Sequence, residues 1–323
     1  MEPFFCSHES RQAGEEPIGM AGDEHLYVLI ECPPPWAAMA LTSQSIPANL
    51  RQLKEEIEQA ELSVRFLLIH SHRLKQENYT RVLIFRKPEG LATTYERQEL
   101  QVSDLQEVAP AVKDCLVNWE RRSKNTQPQT RDILVCTHGT HDKCCAKYGK
   151  PFYYQALATV EQLSLDQVRI WECSHFGGHR FAPTIIDFPE SRYYARLDAT
   201  SLTSVLTKTG DINCFKDIYR GWSLLPYLAQ VLERELIFRY GWEWFDYSVN
   251  CQIIEQNEEE TFSRIELIFK TPDGVLKGYR ADVVEDENKC LYLIGDCEGN
   301  QAEKTPQFQV QNLIEIEPLS VGV

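Results

Sequence analysis

Two apolar runs end in ligand-rich loops, and no other feature constrains the fold of this chain as strongly. Ile133 to Val135 lead into "CTHGTHDKCC" (Cys136 to Cys145), and Val168 to Trp171 lead into "CSHFGGHRFAP" (Cys173 to Pro183). Short apolar runs of this kind read as buried strands. Between them, Pro151 opens a helical stretch in which Phe152, Ala156, Val160 and Leu163 share a face. If the two strands are parallel neighbours, both loops leave the same edge of the sheet, where open α/β folds place their sites.

The same alternation precedes this segment. "HLYVLIEC" (His25 to Cys32) reads as a buried strand stopped by Pro33, Pro34 and Pro35, and Leu50, Leu53, Ile57 and Ala60 recur at helical spacing after Pro47. "VRFLLIH" and "RVLIFR" follow as strands, and Val108, Val112, Cys115 and Leu116 mark another helix. The expected organisation is therefore α/β: a flexible tail over 1–21, a first unit over 22–125 and a polar linker at Arg121 to Arg131. A second unit over 130–200, a helical segment over 201–245 and an acidic β-rich extension over 246–323 complete it. In that extension "PDG" (Pro272 to Gly274) reads as a hairpin turn.

Composition excludes some partners. The formal charge of -15 opposes a nucleic-acid backbone or an anionic membrane. From Asp246 to Val323, 16 acidic residues face 6 basic ones, so a positively charged partner, such as a reductase docking by charge, would find its complement there. No apolar stretch reaches the roughly 20 residues of a membrane span, and a cytoplasmic location is expected. The 11 cysteines are too dispersed for a disulfide scaffold, and Cys6, Cys32, Cys115, Cys214, Cys251, Cys290 and Cys297 read as buried small hydrophobes. Cys136, Cys144, Cys145 and Cys173 are the cysteines that stand among the histidines of the two loops.

Two sulfurs and two imidazoles suit tetrahedral zinc or the irons of a [2Fe-2S] cluster. The C-x8-C spacing of Cys136 and Cys145 favours the larger inorganic core, since a zinc knuckle holds its cysteines two to four residues apart. Gly177 and Gly178 between His175 and His179 suit a tight turn that points both rings inward.

These two segments together resemble the sucrase/ferredoxin-like family, relatives of the thioredoxin-like [2Fe-2S] ferredoxins. Cys136, His138, Gly139, Asp142 and Cys145 match its first motif; His175, Gly177, Gly178 and His179 match its second. The resemblance implies tandem thioredoxin-like units and a cluster with Cys136 and Cys145 on one iron and His175 and His179 on the other, serving electron transfer rather than catalysis on a substrate of its own. It leaves Cys144 as an alternative ligand, because a basic residue often precedes the second motif cysteine. On this reading His138 and His141 do not ligate the cluster.

Rival ligand sets and activities fit less well. A Rieske centre requires a C-x2-H pair where Cys173 and His175 form C-x-H. Thiol-disulfide chemistry lacks a C-x-x-C, although "FAPTIIDF" resembles the segment in which thioredoxin-like proteins carry a cis-proline, here Pro183. A glycosidase requires a paired carboxylate site, and no such pair sits beside the motifs. A structural zinc site remains the alternative; it predicts unfolding on chelation without redox activity.

Overall fold

The computed structural model describes residues 4–74, 78–122 and 130–317, so most of the expected linker Arg121–Arg131 lies outside the described residues. Helix α1 (Cys6–Gln12) leads into β1 (Leu26–Glu31), which is buried along its whole length. Such a run suits a central strand covered on both faces. Helix α2 (Ala48–Gln59) buries Leu50, Leu53 and Ile57, the stripe expected from their spacing. Strands β2 (Val64–His70), β3 (Thr80–Arg86) and β4 (Glu96–Val102) follow, and then α3 (Val108–Val117) and α4 (Trp119–Arg122).

The next part repeats this wiring: β5 (Arg131–Cys136), α5 (Lys150–Gln162), β6 (Val168–Cys173), β7 (Thr184–Phe188), β8 (Arg192–Ala195) and α6 (Ala199–Thr207). In each half a βαβ unit makes a parallel pair and two antiparallel strands extend it, giving the orders β2-β1-β3-β4 and β6-β5-β7-β8. The halves join in one nine-stranded sheet through β2 and β6. This junction is antiparallel and has only two rungs, Ile69 with Cys173 and His70 with Glu172. Because both strands meet at their C-terminal ends, the C-terminal edges of the two halves converge at this seam.

The segment expected to be helical over 201–245 is interrupted. After α7 (Phe215–Ile218), Tyr219–Trp222 forms β9, the outermost strand beside β8. Helix α8 (Tyr227–Tyr240) is buried on nearly every side, because it contacts both β9 and a second sheet. That four-stranded sheet contains β10 (Ser248–Gln256), β11 (Phe262–Lys270) and β12 (Leu276–Glu285), and is closed by β15 (Phe308–Ile316). Strands β13 (Leu291–Ile294) and β14 (Ala302–Thr305) form a separate hairpin. The turn at Thr271 to Gly274 connects β11 to β12 as expected.

Residues 4–21 are not a loose tail. Cys6 and Ser10 of α1 are fully buried, and buried Glu15 pairs with Arg180 while Glu16 pairs with Arg234. Tertiary ion pairs and buried thiols hold a segment whose local sequence has neither a long apolar run nor helical periodicity. Among the described residues, no helix is long and apolar enough to cross a membrane.

Candidate metal centre

Strands β5 and β6 are parallel, with Cys136 opposite Cys173, so the two motif loops leave one edge together as the sequence suggests. The chain after Cys136 folds back through a loop into a π-helical turn, Cys145–Gly149, which continues into α5. Gly149 makes that return possible: a Cβ there would lie 1.9 Å from the Cys136 carbonyl oxygen. In the second loop, Gly177 and Gly178 adopt φ of 92° and 76°, the left-handed region that favours glycine. A Cβ on Gly178 would strike the Arg220 guanidinium at 2.4 Å.

Cys136, Cys145 and His175 come together, with donor atoms within 4.8 Å of one another. His175 Nδ1 lies 3.8 Å from the Cys136 sulfur and 3.5 Å from that of Cys145. His175 also belongs to a second group, with His141 and His179. His179 Nε2 donates to the Gly295 carbonyl at 2.9 Å, and its buried Nδ1 has no partner among the described residues.

The remaining histidines support this arrangement. His138 accepts the His175 backbone N–H at Nδ1 and donates from Nε2 to the Ala37 carbonyl at 2.9 Å. His141 stacks on His175 with ring centres 3.8 Å apart and donates from Nδ1 to the Ala38 carbonyl. The loop after β1 thus anchors the first motif across the seam. Burial pushes the His175 imidazole down to about 2, helped by the neighbouring His141, His179 and His138, and burial also lowers His138. Both rings are therefore held neutral, as a metal-ligating imidazole must be.

Burial opposes ionisation of Cys136, but hydrogen bonds from Cys145 and from the backbone of His138 and Phe176 bring this thiol down. Arg220 from β9, itself buried, adds its positive charge from beneath the Gly177–Gly178 turn, where Nη1 donates to the Gly177 carbonyl at 3.2 Å. Cys145 is correspondingly raised by its bond to Cys136, so the pair ionises at Cys136 first.

Cys144 points elsewhere. Its sulfur lies 3.5 Å from Cys6 and 3.3 Å from Cys297, and Ser7 Oγ donates to it at 3.1 Å. Cys6 and Cys297, which read from the sequence as isolated apolar fillers, thus belong to a second cluster with Asp142. No local signal could have found them, because Cys297 is 153 positions from Cys144. Cys173, near histidines in sequence, is fully buried with its thiol pushed well up by burial. Arg180 is turned away in its pair with Glu15.

Comparison with known proteins shows what the chain is similar to. A protein called "Altered inheritance of mitochondria protein 32" from Debaryomyces hansenii is 30% identical over 122 residues, which cover 35% of this chain and 44% of that protein. The protein of the same name from Meyerozyma guilliermondii is 24% identical over 233 residues, covering 62% of this chain and 80% of that one. The chain thus spans under half of the first relative's length and most of the second's. No solved structure matches. The profile described as sucrase/ferredoxin-like matches residues 17–221, from before β1 to within β9, and takes in both motif loops and both halves of the large sheet. The chain belongs to the sucrase/ferredoxin-like family.

Proposed function

We propose that this protein is an electron carrier that holds one [2Fe-2S] cluster through Cys136, Cys145, His175 and His179. The observation that carries the reading is the split of the donors into two overlapping groups. Cys136 and Cys145 group with His175, while His179 groups with His175 but not with the cysteines. Around a single tetrahedral ion all four donors would lie within about 4 Å of one another, given metal–ligand bonds of about 2.0–2.3 Å. A wider set suits a two-metal core, and the unpartnered Nδ1 of His179 is the kind of atom such a core would satisfy.

When bound, the cluster supplies a reversible one-electron centre, at a potential raised by neutral imidazoles in place of thiolates. The chain's own residues set its surroundings. His138 orients the His175 backbone, Gly295 holds the proton on His179 Nε2, and Arg220 places a buried cation near Cys136. Each would stabilise the more negative, reduced state or fix its ligands. The repeated strand order is the basis for reading the two halves as tandem thioredoxin-like units. We place the protein in the cytosol, with a basic reductase docking on the acidic C-terminal part.

Anaerobic purification followed by visible absorption, EPR of the reduced form and quantification of iron and sulfide tests this reading. Iron and sulfide in equal amounts with a reducible chromophore are expected. A colourless protein holding zinc at Cys136 and Cys145 would overturn it.

A further inference from the structure

We propose that Cys6, Cys144 and Cys297, together with the Asp142 carboxylate, form a second metal site, which takes a zinc ion. Three distant parts of the chain meet here: the start of α1, the loop ahead of the π-helical turn, and the loop after β13. The three sulfurs form a nearly equilateral triangle with sides of 3.3, 3.5 and 3.6 Å. Asp142 Oδ1 lies 3.4 Å from the Cys297 sulfur, and all four donor atoms lie within 4.8 Å of one another. With Zn–S bonds of about 2.3 Å, the sulfurs of a tetrahedral site are separated by about 3.8 Å, so small outward shifts suffice to admit the ion.

The donor chemistry selects the metal. Three soft sulfurs and one carboxylate suit zinc rather than calcium or magnesium, which favour all-oxygen shells. All three thiols are free, and an odd number cannot be satisfied by disulfides alone. Plain apolar packing does not account for the carboxylate, which is held in place by the backbone N–H groups of Cys144 at 2.7 Å and Cys297 at 3.2 Å. The Ser7 hydroxyl, donating to Cys144, is the outer-shell bond that a thiolate ligand requires.

Zinc held by three thiolates and one carboxylate would make a complex of net charge -2: +2 from the ion and -4 from its ligands. The ion would tie α1 and the C-terminal hairpin to the loop that delivers Cys145. Cys6 and Cys297 lie outside the residues matched by the family, so the family match by itself does not account for this clasp. The site stands on its own donors and does not depend on iron at the neighbouring one.

The test is metal analysis of the full chain, purified anaerobically under reducing conditions, with zinc and iron measured separately. One zinc per chain is expected, lost in Cys6→Ser and in Cys297→Ser, with iron and the visible spectrum retained. Cys136→Ser, which touches only the first group of donors, should show the reverse: iron lost, zinc kept. As a check independent of variant folding, wild-type protein stripped of zinc by a chelator and given cobalt(II) should develop tetrahedral d–d and thiolate charge-transfer bands. A wild-type protein that contains no zinc and gives no cobalt bands would overturn the proposal. So would full zinc in both serine variants, or loss of zinc on changing Cys136 alone.

Discussion

Cys144 and Cys145 are adjacent in the chain but serve two different clusters: the Cys145 sulfur lies 3.5 Å from His175 Nδ1, and the Cys144 sulfur 3.3 Å from that of Cys297. Successive residues entering a helical turn project about 100° apart, so neighbouring thiols need not share a centre. Cys145→Ser should therefore abolish iron binding, while Cys144→Ser should keep the visible chromophore. Iron content and absorption of the two variants measure this directly.

The imidazole ligands should set the potential. Replacing His179 by Cys exchanges a neutral ligand for an anionic one, and the reduction potential should fall by on the order of 100 mV, because thiolate disfavours the more negative state. Spectroelectrochemical titration of His179→Cys beside the wild type gives the shift, and an unchanged potential would remove His179 from the ligand set.

Gly149 lies where the returning chain presses on the end of β5. An added methyl at 1.9 Å from the Cys136 carbonyl meets backbone rather than a movable side chain, so Gly149→Ala must displace the turn that carries Cys145. A loss of about 3 kcal/mol in stability is expected, with reduced iron occupancy. Thermal unfolding and iron analysis of the variant test both parts.

Beneath β9, Arg192 and Glu233 form a fully buried ion pair at 2.6 Å, and the Tyr219 hydroxyl and Trp244 indole N–H also donate to the carboxylate. Removing Glu233 takes away the closest partner of a guanidinium shut off from solvent and leaves it the Glu190 carboxylate, 3.4 Å from its Nε. Glu233→Ala should cost about 3–5 kcal/mol, read as a lower urea midpoint than that of the wild type.

Acid should destabilise the metal-free protein through its buried histidines. The folded-state value of His175 is depressed from 6.5 to about 2, and His138 is lowered too. As the pH falls through 6.5 the unfolded chain takes up protons that the folded state refuses, so stability is present above that value and is lost below it. The loss approaches about 1.4 kcal/mol per pH unit for each such group. Urea unfolding of the apo protein at about pH 7 and about pH 5 should show it, and replacing His138 by Gln should flatten the slope.

The sequence by itself determined the local units and the motif residues. Uninterrupted apolar runs such as Leu26–Ile30 and Ile133–Val135 read as buried strands, and the spacing of Leu50, Leu53 and Ile57 reads as a helix packed against them, as the structure has it. The grouping of Cys136, Cys145 and His175 was legible because two short motifs each follow a strand end. The tertiary structure alone decided what meets across long separations. It ordered residues 4–21 and made Tyr219–Trp222 a strand. Its two-rung antiparallel seam let the Ala37 and Ala38 carbonyls anchor His138 and His141. It also gathered Cys6, Asp142, Cys144 and Cys297. Strand and helix periodicity is encoded within a few residues, whereas contacts over 101 to 291 positions depend on how whole elements pack, and that leaves no mark in the spacing of a single sequence.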